Sequence, residues 1–374
     1  AEFIHGKAPV TKELLREAGL TYVPMSADGE MWVFNGKELK KGYLIIEEPE
    51  FLKHRDVVNK KLQELDGDMS IAMFLDKFFA GEEYRELREL IINMVEKFDA
   101  ADPDKISTFS LRDEWLGQGE WTQGRVQEGY KAMLDFLSSE CNKYDVEVLL
   151  GKAVRSVEMN DDMIRIQCID GDIYDGQKVI VTVPLPTIKQ IQFKPAIPEK
   201  LKAAENIGFG QVIKVLIKFK DQWWVNALDK DMSKTVFLLC KGEFGAWWTQ
   251  YPESHPVLTG WIAGPAADKL KNSDPKDILN LGIASLADIF KVSKEKLKEE
   301  TTAYQVVNWL SDPYAKGAYS YSMVGSEKAY AELRKPVHDK IFFAGEAVFA
   351  EKETATVEGA LASGLETANI ILSR

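Results

Sequence analysis

"KIFFAGEAVFAEKETATVEGALASGLETANIIL", residues 340–372, is the stretch from which the fold is read. Ile341 to Ala344 form an uninterrupted apolar run, short enough for a buried strand. The run stops at Gly345-Glu346 and a short charged loop follows. A helix then opens on Thr354, Thr356 and Gly359. Gly359 and Ser363 are four residues apart, as are Ala360 and Gly364. One side of the helix therefore carries almost no bulk and can approach another backbone closely. One reading is tight packing against a sheet. The other is a ligand at the helix start, where unpaired N–H groups favour negative charge. Glu346, at the carboxyl end of a buried strand, stands where α/β folds bind ligands, and its carboxylate can accept hydrogen bonds from ribose or ribityl hydroxyls. It can equally reach solvent.

Working outward, the 374 residues exceed one ordinary core and predict two domains. Hydrophobic residues make up 45% and charged residues 28%, the balance of a globular protein. A net charge of −12 argues against a nucleic-acid or anionic-membrane binder, since phosphates need a basic footprint. Cys141, Cys168 and Cys240 are scattered and odd in number, so neither a disulfide framework nor a metal cage is expected. His5, His54, His255 and His338 lack ligand spacing, and no metal is expected. No apolar run reaches membrane-spanning length and no signal peptide is visible, so a cytoplasmic location is expected. The first residues, "AEFIHGKAPVTK", lack an initiator Met, which leaves a lost leader open.

Along the chain, Thr11–Ala18 reads as a helix, "TYVPM" and "MWVFNGKEL" as short strands, and 48–100 as helices with three- and four-residue apolar spacing. Residues 130–142 continue that pattern. From Val146 the period becomes two, with turns at Asn160-Asp161-Asp162 and Asp170-Gly171. Val179–Val183 is apolar on both faces and reads as central in a sheet. A second strand-rich region covers 210–263, helices follow, and the chain returns to the strand at Ile341. The expected fold is a mixed α/β (α+β) protein of two interwoven, discontinuous domains.

The stretch 340–372 resembles the C-terminal flavin-binding signature of the flavin-containing amine oxidases, which include monoamine and polyamine oxidases, L-amino-acid oxidases and lysine-specific histone demethylases. Other segments are similar in order: "AEFIHG" at 1–6, "FDAADPDKIS" at 98–107, "GKAVRSVE" at 151–158, "KVIVTVPLPTI" at 178–188, "FGQVIKVLIKF" at 209–219, "VLTGWIAGPAA" at 257–267 and "WLSDPYAKGAYSYSMVG" at 309–325. The resemblance implies a Rossmann-like FAD-binding domain from 1–8, 122–190 and 326–374. A mixed-sheet and helical substrate domain would come from 9–121 and 191–325.

The resemblance also implies site residues. Gly345 and Glu346 would contact FAD; Thr356 and Val357 would face the flavin ring, the Val357 N–H at its pyrimidine edge. Val154 would meet the adenine through its backbone, and Trp309 would belong to the cofactor site. Phe3 and His5 would lie in the substrate pocket, and Tyr319 would form one wall of an aromatic cage suited to an amine. The second wall, a Tyr in monoamine oxidases, is Thr356 here, so a simple monoamine-oxidase specificity is not expected. Ala318 stands where covalent-flavin members carry Cys, so FAD would be non-covalent. Lys214 reads from pattern alone as a solvated lysine on an amphipathic strand. The resemblance instead makes it the lysine that holds a water near flavin N5 and assists reoxidation by oxygen, with Lys218 as the surface control. The implied reaction oxidises a C–N bond of an amine, polyamine or amino acid. The neutral amine delivers hydride to the flavin, the imine is hydrolysed, and oxygen is reduced to hydrogen peroxide. No arginine, Arg125 included, is singled out as a carboxylate clamp, and the oligomeric state is not readable.

One family feature is missing. No G-x-G-x-x-G occurs in the 374 residues; "GFGQVI" at 208–213 supplies two glycines and no third. That fingerprint belongs to a first βαβ unit. The expectation is an N-terminally truncated member, with weakened or lost FAD binding because the pyrophosphate cradle is gone. Two alternatives stand beside the oxidase: a cofactor-free remnant acting as a binding module, and a desaturase or protoporphyrinogen-oxidase-like flavoenzyme.

Overall fold

A computed structural model describes residues 2–25, 28–42, 49–116, 122–161, 163–349 and 354–373. The charged residues Glu351–Glu353 lie outside the described residues. The fold is mixed α/β, and the chain divides into two compact units. One comprises Ala1–Met25, Gly117–Phe209 and Tyr319–Arg374; the other comprises Ser26–Leu116 and Gly210–Ala318.

The second unit is built on a seven-stranded sheet. Its strand order is Thr301–Asn308, Val212–Phe219, Val257–Ala263, Ala246–Trp248, Thr235–Cys240, Glu30–Phe34, Leu39–Lys41. All neighbours are antiparallel except Thr235–Cys240 with Glu30–Phe34. Val212–Phe219 shows why the sheet has one dry face. Ile213, Val215, Ile217 and Phe219 alternate into the core, while Lys214 and Leu216 are half-buried on the other face and Lys218 is exposed. The core side is covered by the helix Pro275–Phe290, which Asp274 caps by accepting from the Lys276 N–H at 2.8 Å and which begins with Pro275. Gly282 of that helix lies against the Trp247 ring, where an added Cβ would stand 3.2 Å from the indole. The helices Pro49–Gln63, Ile71–Phe78 and Arg85–Lys97 appear where apolar spacing predicts them.

The first unit carries smaller sheets. Phe3–His5, Gln123–Val126 and Tyr22–Pro24 form an antiparallel three-stranded sheet with Gln123–Val126 in the middle. Gln192–Lys194, Val154–Met159, Ile164–Cys168 and Ile173–Gly176 form a four-stranded one. Ile341–Phe343 pairs in parallel with Val179–Val181, and Ile341, Phe343, Val181 and Val157 share one core with Ala347 and Val348.

Two strand expectations change here. Val179–Val181 has one partner among the described residues and Ile180 is 43% exposed, so it is an outer strand rather than a central one. Residues 146–150 alternate like a strand but form none; the strand begins at Val154, and Val148 and Leu150 are exposed. Alternation fixes which side a residue faces only when a neighbouring strand supplies hydrogen bonds.

Candidate flavin-binding site

The strand Ile341–Phe343 ends at Gly345, whose φ of 127° suits glycine and turns the chain sharply into Glu346. The helix Val357–Leu372 then runs back along the strand on its narrow face. Gly359, Ser363 and Thr367, each four residues apart, are buried. Ser363 Oγ accepts from the Gly345 N–H at 3.1 Å, and Thr367 Oγ1 donates to the Phe343 carbonyl at 3.5 Å. Small residues thus serve close packing here and stitch the helix to the end of the strand. An added Cβ at Gly364 meets nothing within 4 Å, so the Ala360–Gly364 side is not a close approach.

Glu346 is the centre of this corner. Its carboxylate accepts from Ser320 Oγ at 2.7 Å and from the Ser320 N–H at 3.2 Å. Burial pushes its pKa up, and the hydrogen bonds from Ser320 and from the Ala355 N–H oppose that rise. Ser320 follows Tyr319 directly, so Tyr319, Glu346 and the turn into the last helix are brought to one place. Beyond Ser320, Tyr330 Oη lies 3.2 Å from Ser322 Oγ and its pKa is raised by burial. Thr356 caps the helix, Oγ1 accepting from the Gly359 N–H at 3.0 Å. The N–H groups of Val357 and Glu358 have no intrahelical acceptor by geometry. A carboxylate at a strand end beside a helix N-terminus is a donor–acceptor set that fits a hydroxylated chain and an electron-rich ring edge.

Phe3 and His5 lie on the strand paired with Gln123–Val126. The ring of His5 meets solvent, and its Nδ1 lies 3.2 Å from Gln123 Nε2. Although the residue is exposed, the protein atoms on one side of the ring partly desolvate it and lower its pKa from the ordinary value. A depressed folded-state pKa makes His5's contribution to stability complete above the unfolded value near ~6.5 and lost as pH falls through the folded one. With only four histidines in the chain, histidine-selective NMR should find the His5 ring titrating below the ordinary histidine value. His5→Gln should flatten the acid side of the stability curve; an ordinary titration would contradict the environment described. Arg125, on the middle strand, faces Glu2 at 3.5 Å and stacks its guanidinium over Phe3 at 4.6 Å from the ring centroid. Its charge is engaged within this sheet.

Val154 opens the strand Val154–Met159 and packs against the same core as Ile341 and Phe343. Lys214 and Trp309 belong to the other compact unit. Lys214 Nζ lies 5.1 Å from the centroid of the Trp248 ring, on the sheet face opposite the core. Trp309 follows the strand Thr301–Asn308 and is 39% exposed. Ser320 and Trp248 had no signal in the sequence, since each gains its role from a partner in another segment, Glu346 and Lys214 respectively; Ala355 had none because it acts through its backbone N–H.

Comparison with protein families places the chain as a whole. The model of the flavin-containing amine oxidoreductases matches residues 1–372. The chain belongs to that family. Human lysine-specific histone demethylase 2 is 31% identical over 267 residues, covering 69% of this chain and 31% of that protein. Lysine-specific histone demethylase 1 homolog 2 of Oryza sativa subsp. japonica is 33% identical over 238 residues, covering 61% and 30% respectively. The chain thus spans about a third of the length of these relatives. Among solved structures, putrescine oxidase bound to putrescine superposes with a TM-score of 0.80 at 18% identity, covering 100% of this chain and 87% of that one. Cyclohexylamine oxidase from Brevibacterium oxydans gives 0.79 at 19% identity, with 100% and 88% covered. These two likenesses establish the amine oxidase fold. A flavin cofactor follows from the family. Among the described residues, no helix is long and apolar enough to cross a membrane.

Proposed function

We propose that this member of the amine oxidoreductases uses non-covalently bound FAD to oxidise the C–N bond of an amine, polyamine or amino acid to an imine, with oxygen reduced to hydrogen peroxide. The observation that carries the reading is the Glu346 corner: a half-buried carboxylate at a strand end, held by Ser320 and Ala355, beside the N-terminus of the last helix. These residues fit the ribityl and ring end of a flavin. The 374 residues hold no G-x-G-x-x-G, so the fit concerns that end and not the pyrophosphate.

FAD, when bound, supplies the two-electron oxidation itself. The chain's own residues bind and orient. Gly345 and Glu346 accept the hydroxylated chain, Val154 meets the adenine through its backbone, and Trp309 adds to the cofactor site. Thr356 and Val357 present the helix end to the electron-rich ring edge, where partial positive charge favours reduction. Tyr319 forms a wall of the amine site, and Phe3 and His5 contribute to the substrate pocket, His5 in its neutral form. Lys214 supplies a cation for the oxygen half of the reaction. On this reading FAD is bound by 1–8, 122–190 and 326–374, and the substrate by 9–121 and 191–325.

The test is anaerobic. Chain reconstituted with FAD is mixed with putrescine, cyclohexylamine or an amino-acid panel. The reading requires that one of them bleach the visible flavin absorbance, and that oxygen restore it with release of peroxide. Flavin that binds but is bleached only by a polyene or a tetrapyrrole would move the activity to a C–C substrate.

A further inference from the structure

The helix Pro9–Ala18 begins without a cap of its own. Ala8 at its N-cap has φ 42° and offers no side-chain acceptor, and Pro9 has no N–H. The donors left over are the N–H groups of Val10 and Thr11, because the Lys12 N–H already reaches the Ala8 carbonyl at 3.0 Å. Both go to Glu358, more than three hundred residues away. Val10 N–H donates at 2.9 Å, Thr11 N–H at 2.7 Å and Thr11 Oγ1 at 2.7 Å. Glu358 is 5% exposed and lies in the first turn of the last helix, next to Val357. One carboxylate therefore serves two helix N-termini: that of its own helix and that of Pro9–Ala18.

The neighbouring contacts tie the same parts together. The Val357 side chain packs with Ile4, Ala8, Leu15, Val126 and Met133. Tyr130 Oη donates to the Phe3 carbonyl at 3.3 Å. Its pKa is pushed up to about 12, by burial first and then by Glu358, so it remains a donor. Strand Phe3–His5 leads into the clamped helix through Gly6–Ala8. Val357 and Glu358 thus grip the segment that carries Phe3 and His5.

We propose that Glu358 is a positioning residue: through the Val10–Thr11 clamp it registers Phe3 and His5 against the Thr356–Val357 turn. The proposal rests on the reading of Phe3 and His5 as pocket residues and of Val357 as flavin-facing. A glutamine at 358 would aim an N–H₂ at one of the helix donors, whereas valine at 11 removes only the hydroxyl and serine keeps it.

The experiment compares the wild-type chain with Glu358→Gln, Thr11→Val and Thr11→Ser. Hydrogen exchange is measured first on chain without cofactor. Thr11→Val should speed exchange at 357–360 and at 3–6, and Thr11→Ser should restore protection; unchanged exchange in the last helix overturns the coupling, whether or not the chain is an oxidase. On FAD-reconstituted chain with putrescine or cyclohexylamine as probe, Glu358→Gln should raise KM roughly tenfold, the scale of one charge-assisted hydrogen bond, while kcat and FAD affinity change less. A lowered Tm with unchanged KM would leave Glu358 a packing residue and overturn its positioning role. Absence of any flavin binding by the wild-type chain would instead sink the functional reading and leave the exchange result to decide the clamp.

Discussion

If Lys214 has the proposed role, Lys214→Met should slow reoxidation of the reduced flavin by oxygen roughly 100-fold, the scale of removing one preorganised electrostatic group, while amine-driven reduction should change far less. The argument starts from the strand. Ile213, Val215 and Ile217 anchor Val212–Phe219 in the core and turn Lys214 to the other face. There it stands opposite Trp261 in the ladder and over Trp248, which is 4% exposed. Trp261 is itself fixed, its Nε1 donating to the Lys97 carbonyl at 2.7 Å. An ammonium above a buried indole has less freedom than one on a surface stem, which suits a fixed charge. Met keeps the length and apolar stem, so the sheet should survive. Lys218 lies on the same strand and face but is exposed, and Lys218→Met should leave both half-reactions unchanged. Stopped-flow mixing of reduced enzyme with oxygen reads the difference; equal rates for Lys214→Met and wild type would remove the role.

Lys200→Met should cost about 3 kcal/mol and lower Tm by roughly 5–10 °C, because it leaves buried acceptors without their donor. Lys200 is 3% exposed. Its Nζ donates to the Glu332 carbonyl, to the Lys335 carbonyl at 2.6 Å, and pairs with Glu332 Oε1 at 3.2 Å. The two carbonyls lie at the end of helix Glu327–Arg334, so the lysine caps that helix from the helix Pro198–Glu205. Burial pulls the Lys200 pKa down and the Glu332 contacts oppose it. The methionine fills the stem's volume, so the loss isolates the polar head. Lys194→Met, which breaks an exposed pair with Glu158, should change stability by less than ~1 kcal/mol. A Lys200→Met melt superimposable on wild type would contradict the capping role.

Lys200 and Glu358 also show where reading the sequence stops. In "PEKLKAAE" and "TVEGALASG" both look like ordinary helix-surface charges, and their partners lie more than a hundred residues away. Nothing local distinguishes a buried cap from a solvated side chain. The alternation of Val212–Phe219 and the spacing of Gly359 and Ser363 were legible because one face of one element carries the whole signal. The apolar run at Val179–Val183 and the alternation at 146–150 misled for the same physical reason: apolar pattern reports surroundings, not the number of hydrogen-bonded neighbours. At the Glu346 corner, Gly345, Glu346 and Thr356 were legible as a strand end and a helix start, whereas Ser320, which holds Glu346, was hidden behind its more conspicuous neighbour Tyr319.

The most direct test of the account is a titration of the chain with FAD, followed by flavin fluorescence, for wild type and Glu346→Ala. Saturable binding, weakened roughly 10- to 100-fold by loss of the charge-assisted hydrogen bonds, is the expected result. Equal affinity in the two proteins, or no binding by wild type, would contradict the assignment of this strand end and helix start to the flavin.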